Sequence, residues 1–177
     1  KQEAEIPSCS LMKWGLIPHW AKEAKGLMPI NARAESISEK PTFKVPFKKR
    51  RCLIPADGFY EWETIEKKKQ PYFIHMKNDA PFAFAGIWNR NEINGEVLET
   101  FSLITTEPNE LMAQFHDRMP VIIPKQKFQG WLTESNEVDL KTYLKSYPAE
   151  EMEAYKVSLL VNSPKNDVPQ CLLPLAG

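Results

Sequence analysis

Glycine, cysteine and histidine are scarce in these 177 residues, the formal net charge is zero, and no long apolar run occurs. Each scarcity closes a class of explanation. Cys9, Cys52 and Cys171 are odd in number and widely spaced, so they do not make a disulfide framework. No Cys-x-x-Cys or His-x-x-x-His pair offers a metal site, and His19, His75 and His116 lie far apart, so neither metal nor cofactor is expected. No stretch approaches the roughly 20 apolar residues that span a bilayer. The opening KQEAEIPSCS lacks the apolar core of a signal peptide. The chain therefore reads as cytoplasmic, in a reducing setting, with no membrane partner. It also opens without Met, and is expected to begin inside a longer protein or after processing. Seven glycines stand against 15 prolines, which favours short elements and rigid turns and speaks against a coiled coil or helical bundle.

What is present describes one domain over residues 1–177, long enough to bury a core. Hydrophobic residues make up 42% and aromatics 11%, too many for a disordered tail. The zero net charge hides an asymmetry, +5 over residues 1–70 and −5 over residues 71–177. From Lys40 to Arg51 there are six basic residues and no acid. Such a stretch faces phosphate or is a solvated loop, and charge alone does not choose between them.

The coarse pattern is strands in the centre and helices on the flanks, an α+β class. CLIPADGFYEW (52–62) reads as two extended pieces around the Asp57-Gly58 turn pair. PYFIHM (71–76), FAFAGIW (82–88) and VLETFSLIT (97–105) alternate as strands do, separated by Asn78-Asp79 and Asn94-Gly95 turns. Together they suggest a meander. A helix is expected from Pro108 with Thr106 as its cap, PVIIP (120–124) is extended, and helical spacing recurs near 125–132 and 137–147. VSLLV (157–161) reads as a final buried strand.

Four segments place polar or aromatic groups where chemistry needs them. In Asn31-Ala32-Arg33, Asn and Arg share one face of an extended chain, and the planar fork of Arg33 suits a phosphate or carboxylate. A surface ion pair of Arg33 with Glu35 is the plainer alternative. In Gly58-Phe59-Tyr60-Glu61-Trp62, strand parity puts Phe59, Glu61 and Glu63 on one face and Tyr60 and Trp62 on the other. A core-facing Glu61 would gain a raised pKa and become an acid or base near neutrality; a solvent-facing one would be half of an ordinary alternation. In His116-Asp117-Arg118-Met119-Pro120 an imidazole suited to proton transfer is pinned by a proline, although a lone His is also a common structural hydrogen bonder. Trp14-Gly15-Leu16-Ile17-Pro18-His19-Trp20 is an apolar, proline-stiffened run that either meets nucleobases or is a core strand entering a turn.

Taken together, WGLIPHW, INARAES, RCLIPADGFYEW, FAFAGIW, SLITTEPN, HDRMPVII and the closing VSLLVNSPKND follow the order seen in the SOS-response-associated peptidase (SRAP) family, and the resemblance covers nearly all of residues 13–168. It implies an SRAP fold with a β-barrel-like antiparallel core and flanking helices. It implies a sensor of abasic sites in single-stranded DNA, acting as a monomer. In that family an N-terminal Cys, exposed by autoproteolytic removal of the initiator Met, forms a Schiff base through its α-amine and then a thiazolidine through its thiol. Asn31 matches the residue that orients the amine, Glu61 a proton shuttle, and His116 an acid/base near the sugar hydroxyl. Arg33 matches a phosphate grip, and Thr105 a pocket-lining residue. Trp14, Gly15, Leu16, Ile17 and Pro18 match a wedge that splays DNA, and Trp62 is placed with them among the DNA contacts.

The sequence departs from the family pattern at its start. Position 1 is Lys, and Cys9 lies only five residues before the WG motif, whereas the family Cys lies some tens of residues upstream. Cys9 therefore reads as an ordinary residue. The nucleophile-bearing segment, with its Asn-Val-Ala-Pro-like motif, is expected to be missing and this chain by itself to be inactive. The rival readings are a peptidase acting on other proteins and a non-catalytic single-strand-binding module.

Overall fold

The computed structural model describes residues 8–24, 26 and 28–175; Lys1, and the expectation attached to it, lie outside them. Two short strands come first, β1 (Lys13–Trp14) and β2 (Asn31–Arg33). Helix α1 (Pro41–Lys49) precedes five longer strands, β3 (Arg51–Ala56), β4 (Gly58–Ile65), β5 (Lys68–Met76), β6 (Phe82–Ile93) and β7 (Glu96–Thr106). Then follow β8 (Met119–Pro120), β9 (Ile122–Ile123), α2 (Phe128–Thr133), α3 (Glu137–Lys141) and β10 (Met152–Lys156).

The strands form two sheets. The larger is ordered β1–β7–β6–β3, with β2 continuing the β1 edge of β7 and β8 and β9 inserted where β6 and β7 part. Val121 bridges that gap, donating to the Ile104 carbonyl and accepting from the Ala85 amide, both at 2.8 Å. The smaller sheet is antiparallel, β10–β5–β4, and leaves β4 as its edge. The α+β class and SRAP fold stand, with two corrections of detail. β1 and β2 run parallel to β7, and the described strands form two facing sheets with no closed barrel.

Nor is the centre one meander. β3 pairs β6 and β4 pairs β5, so the chain crosses between sheets at Asp57 instead of turning back on itself. Gly58 is required there because a Cβ would sit 2.1 Å from the Phe73 ring. The β6–β7 hairpin turns at Asn94 and Gly95 with φ of 54° and 81°, as an Asn-Gly pair should. The β4–β5 hairpin turns at Glu66 and Lys67, φ 47° and 67°, where no residue type announces it.

One core lies between the larger sheet and the helices, with Leu16, Ile37, Phe47, Ile104 and Trp131 fully buried. The second fills the space between the sheets, where Ile74, Phe84, Met112 and Ile122 meet and the Phe59 ring packs edge-on against Phe84 at 5.7 Å.

Three of the six basic residues in the stretch, Lys48, Arg50 and Arg51, serve the fold. Residues 41–49 are helical, burying Phe43, Pro46 and Phe47. Buried Arg51 donates to the carbonyls of Phe47 and Lys48 at the end of α1 and of Trp131, Leu132 and Glu134 around the end of α2. It thereby satisfies orphan carbonyls of two helices at once. Lys48 is paired with Glu137 at 2.8 Å, and Arg50 donates to Asn89.

Three flanking elements differ from expectation. After Pro108 there is only a 3₁₀ turn, Met112–Gln114. Asn109 Oδ1 accepts from the Met112 amide, while the Thr106 hydroxyl donates to the Leu144 carbonyl. The helix expected over 137–147 ends at Lys141. In VSLLV only Val157 is buried; Leu159 is 60% exposed and starts a 3₁₀ turn that Ser158 caps. A short apolar run does not reveal its conformation by periodicity alone.

Candidate active site

The larger sheet directs one face at the smaller one, and alternation decides which side chains line the cleft between them. On β7, Leu103 packs into the inter-sheet core, so Thr105 two residues on shares its face. β2 lies beside it with Asn31 opposite Leu103 and Arg33 opposite Thr105. Asn31 and Arg33 are exposed while Ala32 between them is fully buried. The alternative pairing of Arg33 with Glu35 does not form, and Arg33 makes no hydrogen bond or ion pair with the described residues. Glu35 instead takes a two-pronged contact from Arg118, at 2.8 and 2.9 Å.

Arg118 is the pin of this corner. It also donates to the Thr105 carbonyl at 2.6 Å, so one guanidinium ties the segment after β2 to the end of β7. The Arg118 hydrogen bond is the main force holding the Glu35 carboxyl below the usual carboxylate range. The Arg118 backbone amide donates to His116 Nδ1 at 3.0 Å. A neutral His116 accepting that bond carries its proton on Nε2. When protonated it has Asp117 Oδ1 3.0 Å from Nδ1 as an alternative partner. The ring thus has a local partner in either protonation state, and it remains half-exposed.

Across the cleft, Phe59 fixes the orientation of β4. Its ring lies against Phe82 and Phe84, so Glu61 points to the same inner side. Burial pushes the Glu61 carboxyl up, opposed by the nearby His116 charge, the Trp62 backbone amide and Lys69. The sequence left the face of Glu61 open; the packing of Phe59 decides it. Tyr72, opposite Glu61 on β5, packs its ring at a tilt 4.7 Å from Phe115 and donates to Glu63 Oε2 at 2.7 Å. The Phe115 contact seats the His116 loop against the small sheet.

The WGLIPHW run splits. Trp14 is 50% exposed, lies parallel to Phe101 at 6.3 Å and donates its indole N–H to the Ile30 carbonyl at 2.8 Å, one residue before Asn31. Gly15 holds φ +118°, and Leu16 and Ile17 are buried. Buried Thr100 and Asn89 clamp the backbone of Ile17, and Asn91 that of Pro18. Leu16 and Ile17 therefore shape the run from beneath; its surface is Trp14, Pro18, His19 and Trp20. Trp62 lies on the outer face of β4 and donates to Asn162 Oδ1 at 2.7 Å.

The structure thus gathers Asn31, Arg33, Thr105, His116 and Glu61 around one cleft mouth, with Trp14 beside it and Trp62 on the reverse of the same edge strand. Sequence reasoning quoted Arg118 within its motif but gave it no place in the site, and it missed Tyr72 and Asn162. Their signal is a partner distant in sequence, which one chain read alone does not display. Among the described residues no group of three or more His, Cys, Asp or Glu side chains is placed to hold a metal ion. Burial raises the Cys52 thiol pKa to about 12, which keeps it protonated at neutral pH. Among the described residues no helix is long and apolar enough to cross a membrane.

Comparison with known proteins gives this geometry a setting. The family profile described as SOS response associated peptidase (SRAP) matches residues 1–164. The abasic site processing protein YoqW of Bacillus subtilis is 50% identical over 166 residues, covering 91% of this chain and 74% of that one. The mouse abasic site processing protein HMCES is 33% identical over 196 residues, covering 92% of this chain and 56% of its own length. A crystal structure of a Bacteroides thetaiotaomicron protein superposes with a TM-score of 0.87 at 34% identity, covering 93% of this chain and 76% of that one.

Proposed function

The chain belongs to the SOS response associated peptidase family, and on that premise we propose that it processes abasic sites in single-stranded DNA by covalent capture at the cleft mouth. The observation that carries the proposal is that Glu61 lies near enough to His116 to feel its charge across the cleft, with Asn31 and Arg33 on β2 beside β7. An abasic sugar in its open form is an aldehyde. An N-terminal Cys, which position 1 of this sequence does not supply, attacks that carbon with its neutral α-amine.

The steps balance with the groups present. The amine adds to the aldehyde carbon and passes a proton on, giving a carbinolamine. Its hydroxyl takes a proton and leaves as water while the nitrogen gives its remaining proton back to the base, giving an imine. The Cys thiol then adds across the C=N bond, its sulfur to carbon and its proton to nitrogen, and closes a thiazolidine. Glu61 is the proton carrier: its raised pKa allows it to accept and return a proton nearer neutrality than an exposed carboxylate does. His116 serves the sugar hydroxyl through Nε2, the nitrogen its Arg118 contact leaves free. Asn31 orients the amine. Arg33, with no hydrogen-bond or ion-pair partner among the described residues, grips a backbone phosphate. Thr105 lines the pocket, and Trp14 and Pro18, carried on buried Leu16 and Ile17, meet the bases with Trp62. The same Glu61 would assist removal of the initiator Met that exposes the Cys amine.

The test is an adduct assay with a Cys-led segment placed before Lys1 or supplied as a peptide. An abasic oligonucleotide, but not an intact one, is expected to give a product that survives heat and denaturant, and Cys→Ser in the segment should abolish it. Cleavage of an unrelated protein substrate without an adduct would turn the reading to a general peptidase. Salt-sensitive binding without an adduct would turn it to a non-catalytic binding module.

A further inference from the structure

The closing motif, VSLLVNSPKND, takes no part in the chemistry above, yet it is wrapped against the small sheet. Residues 157–175 run over the outer face of β4, β5 and β10 as a strap. The strap is tied by the Tyr60 hydroxyl to the Cys171 carbonyl (3.3 Å), the Tyr155 hydroxyl to the Leu172 carbonyl (2.9 Å) and the Gln70 amide to the Val157 carbonyl (3.0 Å). A bridge between Val157 and Pro174 and the Leu175 amide on the Lys156 carbonyl close its far end. These ties anchor the strap at both ends without Trp62.

The Trp62–Asn162 bond therefore is not needed to hold the strap; it holds the ring. Trp62 Cα is fixed by β4–β5 pairing, opposite Pro71. Its Nε1, 2.7 Å from Asn162 Oδ1, is fixed at the other end. An indole held at both points is restricted in χ1 and χ2. Asn162 itself stands on a stiff support, the Leu159–Asn162 turn, capped by Ser158 and braced by the Asn166 amide on the Leu160 carbonyl. β4 is a sheet edge, so a strand of DNA crossing it meets Glu61 on one side and Trp62 on the other. A ring set in place beforehand stacks on a base without the entropic cost of ordering it.

We propose that Asn162 is a positioning residue that presents the Trp62 ring to a base beside the lesion, so that the C-terminal strap contributes to DNA affinity without touching DNA. The inference rests on the reading of the site given above.

The test uses the 177-residue chain labelled with 5-fluorotryptophan and an intact single-stranded oligonucleotide. The five tryptophan ¹⁹F lines are assigned by substitution, and affinity is measured by titration. Asn162→Leu should shift or broaden the Trp62 line and weaken binding on the order of three- to tenfold, a fraction of the loss when a stacked ring is deleted. Asn162→Asp, which keeps an acceptor oxygen, should restore the line. Trp62→Phe should weaken binding, and Trp62→Phe with Asn162→Leu should be no weaker than Trp62→Phe alone, since the second change then has nothing left to position. Parental affinity in Asn162→Leu, or losses that add in the double variant, would overturn the inference while leaving the site reading intact. No measurable binding by the unsubstituted chain would overturn both.

Discussion

The arginines of two regions differ in where their donors point. In the first, Arg51 is buried and spends its guanidinium on five backbone carbonyls at the ends of two helices. In the second, at the cleft mouth, Arg33 is exposed and bonds to no described residue, with Arg118 beside it dividing its donors between Glu35 and Thr105. Charge counting along the sequence leaves the first region, with its six clustered basic residues, open between a phosphate site and a solvated loop. Accounting for each donor separates the two regions. Among the described residues Arg33 has no hydrogen bond or ion pair and is therefore available to a ligand, while Lys48, Arg50 and Arg51 of the dense cluster are tied into the fold.

The largest effect that sharpens this contrast is on stability. Arg51→Leu should cost at least about 3 kcal/mol in urea unfolding, because several carbonyls lose a charged donor at ~1 kcal/mol or more each. A loss below about 1 kcal/mol would show that water replaces the guanidinium at the helix ends. Arg118→Ala should cost less, about 1–2 kcal/mol, mostly from the Thr105 carbonyl, since the half-exposed Glu35 partner is screened by solvent. It should also slow adduct formation by loosening His116. Arg33→Ala should leave stability within about 0.5 kcal/mol. It should weaken binding to single-stranded DNA and flatten the salt dependence by about one unit of slope or less, with Arg33→Lys recovering part of the loss. If Arg33→Ala instead unfolded the protein, the contrast between the two regions would collapse.

How far the sequence showed this contrast depends on whether the determinant was local. Asn94-Gly95 announces its hairpin because both residues tolerate positive φ, whereas Glu66-Lys67 adopts the same turn unannounced, held by the pairing of β4 with β5. Asn31 and Arg33 were legible as one face of a strand because alternation is local. The side taken by Glu61 was not, because it depends on Phe59 meeting Phe84 in the other sheet. The choice between wedge and core strand for Leu16 and Ile17 was not local either, since their burial depends on Asn89, Asn91 and Thr100, which hold the backbone of Ile17 and Pro18. Arg51 was unreadable for the same reason: most of its acceptors lie some eighty positions away, around the end of α2.

The smallest expected effect is a pair of opposite pH dependences across the cleft. The native Glu35 pKa is depressed, chiefly by its Arg118 hydrogen bond. Its stabilising contribution is present above the ordinary Glu value of about 4.3 and is lost as pH falls through the lower native value. Arg118→Ala should therefore flatten the acid limb of a stability–pH profile. The native Glu61 pKa is raised, chiefly by burial. Its contribution is most favourable below the ordinary value and is lost as pH rises through the higher native value. Glu61→Gln should thus be as stable as the parent at neutral pH or slightly more so. Thermal unfolding of both variants from pH 3 to 8 checks the two signs together.

That expectation for Glu61 sets up the most direct test of the central claim, that a carboxylate made basic by the inter-sheet cleft carries the proton in covalent capture. The measurement is the rate of denaturant-stable adduct formation on abasic single-stranded DNA by the Cys-led protein, with and without Glu61→Gln, alongside the thermal midpoint of each. The account predicts a rate lower by about 10²–10⁴-fold with an unchanged or higher midpoint. Adduct formation at the parental rate in a folded Glu61→Gln protein would contradict it.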